Sequence, residues 1–285
     1  MCRLVWTVSI LLILLLAAPA AAKVIYVNNR TGDDVYDGTS PEVGDARAGP
    51  VRSLTRAAVL IGSGDEVEIA NTGDPYFDSL RLIGGRASGV ASHPTVIHGN
   101  GALLDGSEPV DPYEWIALGD GLWRLDPKQK GWYRLVRGDA AVTEAVGSDF
   151  ADRNDLAAGS WAAWNGSIFY RSLPDELPPL EPFRIATREA GIFFYGVHDV
   201  VVEDLTVRYF RLDGVNAHDQ TRRVLLQNIV SEMNGRSGIF VGGSSSILVQ
   251  GGSTKGNREA SLLLHERAKA DVRDIKLDTQ PVEEE

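Results

Sequence analysis

Two histidines stand at matching places in a repeated pattern, and a carboxylate lies close to one of them. Tyr195, His218, Gly242 and His265 close the segments Gly191-Ile-Phe-Phe-Tyr195, Gly214-Val-Asn-Ala-His218, Gly238-Ile-Phe-Val-Gly242 and Ser261-Leu-Leu-Leu-His265. An imidazole titrates near neutral pH and can take or return a proton. His218 is the candidate base, Asp213 its acid or orienting partner, and His265 a second catalytic candidate. Tyr195, Arg211 and Phe240 are the candidate substrate-binding residues, because they stand beside these groups with rings or charge to offer. A histidine on a solvated strand commonly does no chemistry, so the assignment depends on whether the fold gathers these residues on one face.

A second cluster fails on inspection. The run Asp33-Asp34-Val35-Tyr36-Asp37-Gly38 has the look of a calcium loop, yet Val35 takes a ligand place and Gly44 stands where a bidentate Glu is needed. Acidic residues that form turns account for it better. No metal site is expected.

The elements that position the histidines are legible from the repeat. Each of the four segments is followed by a second: Val202-Glu-Asp-Leu205, Leu226-Gln-Asn-Ile229, Val249-Gln-Gly-Gly252 and Val272-Arg-Asp-Ile275, with a period of 23 or 24 residues. One such unit cannot bury its apolar side alone, so neighbours must stack at about 4.8 Å and share a core. Alternation turns Ile192, Val215, Ile239 and Leu262 inward with Phe194, Ala217, Val241 and Leu264, and leaves Phe193, Asn216, Phe240 and Leu263 outward. His218 and His265 then lie about 10 Å apart, two steps along the stack, with Gly242 leaving a gap between them. Arg208, Glu232, Lys255 and Asp278 fall at one place with alternating sign, and Asn234 and Asn257 coincide as in an asparagine ladder.

Residues 1–22 read as a secretory leader: Arg3, an apolar run over 4–16, then small residues ending at Ala22. The run is too short to span a bilayer, which needs roughly 20 residues, and no later segment qualifies. Without the leader the chain has 27 basic and 39 acidic side chains and no cysteine. Its core must therefore hold it together without disulfides, and its negative field disfavours nucleic acid as a partner. The setting implied is secreted, periplasmic or cell-envelope.

The part from 23 to 110 opens with a strand at 24–27 and a turn-rich loop. A short helix follows, with Ser53 as N-cap, Leu54, Ala57, Ala58 and Ile61 on one side, and Gly62 as stop. Strands resume at 66–70, 80–83, 95–98 and 102–104. Between 111 and 185 the repeat gives way to short alternating runs with Trp115, Trp123, Trp132, Trp161 and Trp164, expected as an inserted β-meander whose tryptophans chiefly fill its core. The repeat occupies 186–280, and 281–285 is expected as an acidic tail.

Tyr26-Val27, Asp37-Gly38-Thr39, Gly49-Pro50-Val51, Leu54 with Ala57-Ala58, Gly64-Asp65-Glu66-Val67 and Gly99-Asn100-Gly101-Ala102 with Leu104-Asp105-Gly106 carry a resemblance. They are similar to the amino-terminal part of many bacterial secreted proteins of the pectate-lyase-like superfamily. With the repeat, the resemblance implies an all-β, right-handed parallel β-helix (a solenoid) with a short N-terminal capping helix and an inserted β-meander. It implies a polysaccharide or other glycan as partner, bound across the outward sheet face, and calcium as cofactor on that ground alone. The motifs mark fold and not activity. An Asp-Asp pair followed by Gly-His-Gly and Arg-Ile-Lys, as in the pectin-hydrolase family, is missing after Asn165. Two functions stay open: a polysaccharide lyase or glycoside hydrolase, and a non-catalytic glycan-binding or envelope or matrix module.

Overall fold

A computed structural model describes residues 22–145 and 155–284; the leader expected over 1–22 lies, but for Ala22, outside the described residues. The chain is all-β, with parallel sheets and a single α-helix, Leu54–Leu60, among the described residues. None of its described helices is long and apolar enough to cross a membrane.

Each repeat unit contributes strands to two sheets in turn. Val24–Val27, Glu66–Ile69, Thr95–Asp105, His198–Arg208, Arg222–Gln227, Ser246–Gln250 and Lys269–Arg273 run side by side in the first sheet, all parallel. Leu80–Ile83, Ala190–Tyr195, Asp213–His218, Ser237–Val241, Ala260–His265 and Val282–Glu284 do so in the second. The register is the one the repeat predicts. Ile192 pairs Val215, Val215 pairs Ile239, and Ile239 pairs Leu262, and all four are buried in one core with Leu80. Facing them across the interior is the first sheet's column Ile25–Val67–Ile97–Val202–Leu226–Val249.

Between the paired strands the chain must turn at the same place in every unit. Asp204, Asn228, Gly251 and Asp274 stand there with φ of 54°, 52°, 69° and 52°. This left-handed conformation is one that Asp, Asn and Gly enter at least cost, which explains why these types recur at that spacing. Asn228 Nδ2 also donates to Asp204 Oδ1 of the unit before it, at 3.1 Å. At the next corner the expected asparagine ladder forms. Asn234 Nδ2 donates to Asn257 Oδ1 at 2.9 Å, and Asn234 Oδ1 accepts from the Phe210 backbone, so amides stack inside the core with their polar groups satisfied.

The charge ladder keeps its register but not its expected pairing. Arg208 pairs with Glu232 across the sheet, and Glu232 with Lys255, yet the Arg208 guanidinium turns to Asp105 on the strand before, at 3.1 Å. Asp105 occupies the same row, so the alternation of sign begins one strand earlier than the repeat.

Ser53 Oγ accepts from the Arg56 backbone N–H and starts the helix, which packs its Leu54 and Ala57 against the edge strands Val24–Val27 and Leu80–Ile83. Both sheets are thus covered at that end. At the other end three residues of the expected acidic tail, Val282–Glu284, form a strand beside Leu263–His265. The strand fits because Val282 extends the outward row beyond Leu263.

The insertion is closed at its base by Ser107–Pro109 pairing with Phe183–Ala186, a few residues outside the expected limits. Its main sheet holds Thr143–Glu144, Ser160–Trp164, Ser167–Arg171, Leu122–Leu125 and Ile116–Gly119. Trp115 and Trp161 fill its core with Tyr170 and Phe183, whereas Trp132 and Trp164 are exposed.

One corner of the first sheet sets an acid limit. Asp199 accepts from Arg223 Nε at 2.7 Å and Nη2 at 2.6 Å, and contacts His198 Nδ1 at 2.7 Å. The Arg223 hydrogen bonds, with His198 adding to them, draw its carboxyl from 3.8 down to about 2. A carboxyl so lowered in the folded state stabilises it above its ordinary range and loses that contribution as the pH falls through about 2. Asp199→Asn is expected to flatten the acid limb of stability between about pH 4 and about pH 2, read by thermal melting in a pH series. An acid limb identical to that of the parent chain overturns the assignment.

Candidate functional site

The outward side of the second sheet carries two rows. The first runs Arg81, Phe193, Asn216, Phe240, Leu263, and the second runs Ile83, Tyr195, His218 and on through Gly242 and His265. A ribbon of rings crosses the strands: Tyr195 stacks on Phe193 with centroids 6.4 Å apart, Phe193 lies 6.3 Å from His218, His218 5.0 Å from Phe240, and Phe240 6.3 Å from His265. Tyr195, His218 and His265 are therefore brought together on one face. Neither ring nitrogen of His218 has a hydrogen bond among the described residues, which leaves both free for a ligand.

Gly242 has no side chain because there is no room for one. A Cβ there meets Phe240 Cε1 at 2.7 Å and His218 Cε1 at 3.2 Å. The expected gap between the two histidines is not open: Gly242 is itself buried, and the Phe240 ring occupies the place between them.

Two residues take roles different from those expected. Phe240 is 4% exposed and offers no open stacking face; the Arg236 guanidinium lies 4.4 Å over its ring. Alternation correctly turned Phe240 outward, but the arginine from the preceding corner covers it. Asp213 is fully buried, and its carboxylate receives five hydrogen bonds: from Arg236 Nε and Nη2, the Ser237 backbone and hydroxyl, and Asn216 Nδ2, at 2.6–3.3 Å. None comes from His218. So saturated, it serves as the anchor of Arg236 and Asn216. Burial pulls the Arg236 guanidinium down, and the hydrogen bond and charge of Asp213 more than offset this, so it stands above its ordinary value.

Arg211 also serves structure first. It donates to the Lys130 backbone at 3.3 Å and to Glu189 at 3.4 Å, tying the insertion to the stack. Further ties flank the face. Trp132 Nε1 donates to Glu259 at 2.9 Å, and Arg134 reaches the Asn234 and Gly256 carbonyls. Glu144 lies between Arg134 and Arg258; burial raises its carboxyl above its ordinary value despite both cations. These bonds tie the insertion to the corner from which the second sheet's strands start, and Trp132 is partly exposed there. The Tyr195 phenol, 45% exposed, is raised by a hydrogen bond to Asp219.

Calcium does not fit the loop at 33–38. Asp34 caps Arg52 and Ser53, Asp33 accepts from Val35, and Asp37 accepts from Thr39, so the carboxylates turn to separate donors instead of converging. Among the described residues no group of three or more His, Cys, Asp and Glu side chains is arranged to hold a metal ion.

Arg236, Asn216 and Trp132 are the members of this site that sequence reasoning did not single out. Asn216 alone left a signal, as a polar residue in an outward row otherwise apolar.

No family model matches the chain, and neither does any curated protein. Among solved structures, the complex structure of XylC with xylose is similar over 88% of this chain, at 11% identity and a TM-score of 0.61. A glycoside hydrolase is similar over 86%, at 13% identity and a TM-score of 0.51, this chain spanning 68% of its length. The chain spans about half, 54%, of the XylC structure. Likenesses at such identities bear on the fold, and the fold they share with this chain is all-β with parallel sheets.

Proposed function

We propose that this chain is a polysaccharide-associated protein that binds glycan across the outward face of its second sheet. Its scaffold is read as a right-handed parallel β-helix of the pectate-lyase-like superfamily, exported by the leader at 1–22. The observation that carries the reading is the ring ribbon from Tyr195 to His265, with the half-exposed Trp132 of the insertion bonded to Glu259 at the start of the last of its histidine strands. Sugar rings have apolar faces that stack on aromatic side chains and hydroxyls that bond to imidazole nitrogens. The structural neighbours include a xylose complex and a glycoside hydrolase, which supports a carbohydrate ligand.

Binding is the reading we favour over turnover, because Asp213, the carboxylate expected to partner His218, is buried and saturated. Turnover as a lyase or glycoside hydrolase rests on the unbonded imidazole of His218, with His265, whose Nδ1 lies 3.9 Å from Glu266, as a second group. A panel of neutral and acidic polysaccharides separates the two: retention without reducing-sugar release or unsaturated product supports binding, and product formation lost in His218→Ala supports turnover.

Tyr195→Ala is expected to lower glycan affinity about tenfold or more by removing the most exposed ring of the ribbon, with little change in thermal stability. Unchanged affinity in a folded Tyr195→Ala protein places the ligand elsewhere.

A further inference from the structure

The outward face contains one polar atom that folding alone does not explain. Asn216 is 5% exposed and stands in register between Phe193 and Phe240. Its Nδ2 donates to Asp213 Oδ2 at 2.7 Å. A carboxylate accepts and cannot donate, so the amide is oriented with nitrogen toward Asp213 and oxygen away from it. That oxygen, Oδ1, is buried and has no hydrogen-bond partner. Nor can the side chain swing to find one: Asp213, which holds it, is itself held by Arg236 and Ser237. The flanking positions are phenylalanines, so an apolar residue would suit the row, and a buried acceptor left unpaired lowers stability.

We propose that Asn216 Oδ1 accepts a hydrogen bond from a hydroxyl of a neutral sugar seated on this face, so that the site takes uncharged glycan in preference to uronate-rich glycan. The inference rests on the glycan reading above and adds the substrate class. An amide oxygen attracts a donor and repels a carboxylate, and the negative charge of Asp213 stands directly behind it. The cations close by are committed: Arg236 to Asp213, and Arg211 to Glu189. A uronate placed over Asn216 meets an acceptor and a balanced charge; the Arg81 guanidinium of the same row lies over the Phe193 ring, two strands away.

Oδ1 is closed from solvent, so a neighbouring side chain must turn for the sugar to reach it. His218 lies two residues along the same strand and is held by ring contacts alone. Rotamer changes of this kind are common when a ligand binds.

The test measures binding of neutral and uronate oligosaccharides to the full chain, to Asn216→Ala, to Asn216→Leu and to Tyr195→Ala, with thermal melting of each. The expected result is neutral over uronate preference in the parent chain, an affinity for neutral glycan about tenfold lower in both Asn216 variants, and Asn216→Leu melting at or above the parent. Parent preference for uronates, or full neutral-glycan affinity in folded Asn216 variants while Tyr195→Ala loses binding, overturns the inference and leaves the face standing. Glycan binding untouched by all three substitutions, or no glycan binding by the parent chain, overturns the face and the inference together. Should both Asn216 variants fail to fold, the parent's preference between the two glycan classes decides.

Discussion

Asp213→Ala is expected to destabilise the chain by about 3 kcal/mol, the lower end of what breaking a buried ion pair costs. The removed carboxylate is fully buried, and Arg236, Ser237 and Asn216 all lose their common acceptor. Desolvated donors left without a partner, one of them charged, make the single substitution worse than removing the pair. Arg236 keeps 20% side-chain exposure, so part of its charge can escape to water, which is why the lower end applies. Adding Arg236→Met should restore some of the loss, and urea denaturation of the two variants measures both effects. A change within about 0.5 kcal/mol in Asp213→Ala, the size of an ordinary surface substitution, would mean that the carboxylate is not the anchor described. The same substitution should weaken glycan binding as well, because Asn216 and Arg236 lose the group that orients them. Asp213 is in this sense a positioning residue.

The parts of this structure that were legible in the sequence are those set by periodicity. Apolar alternation at a period of 23 or 24 residues is enough to put Ile192, Val215, Ile239 and Leu262 in one column, because a slip of one residue would turn every inward side chain to water. The helix cap at Ser53 and the turn residues Asp204, Asn228 and Asp274 were legible for a local reason: each satisfies or relaxes its own backbone. What was not legible depends on side chains that arrive from another unit. Phe240 is covered by Arg236 and Asp213 is saturated by it, and nothing in the alternation of either strand reveals where an arginine at the corner will point. Arg208 likewise chose Asp105 over Glu232, two acceptors on opposite neighbours in the same row. The docking of the insertion by Arg134 and Trp132 was out of reach for the same reason, since its partners are the Asn234 and Gly256 carbonyls and Glu259, about a hundred or more residues away.

The strongest separation between scaffold and face is expected at two adjacent residues. Phe194→Ala should cost about 3–5 kcal/mol, the usual range for removing a buried phenyl ring. Phe194 is fully buried, between Leu82 and Ala217 in the inner column. Ala217 is too small to fill the space a missing ring would leave, so the cavity stays open. Phe193 points the other way. It is half-buried, with the Arg81 guanidinium 4.4 Å over its ring and Tyr195 stacked beside it. Phe193→Ala therefore forfeits a cation–π contact and ring contacts worth about 1 kcal/mol together, while taking a ring from the middle of the ribbon. Its larger effect should be on glycan affinity. Denaturation and oligosaccharide binding measured on both variants give the comparison: a stability loss concentrated in one and a binding loss in the other. Equal stability losses at the two positions would contradict the strand register, because side chains one residue apart on a strand cannot both face the core.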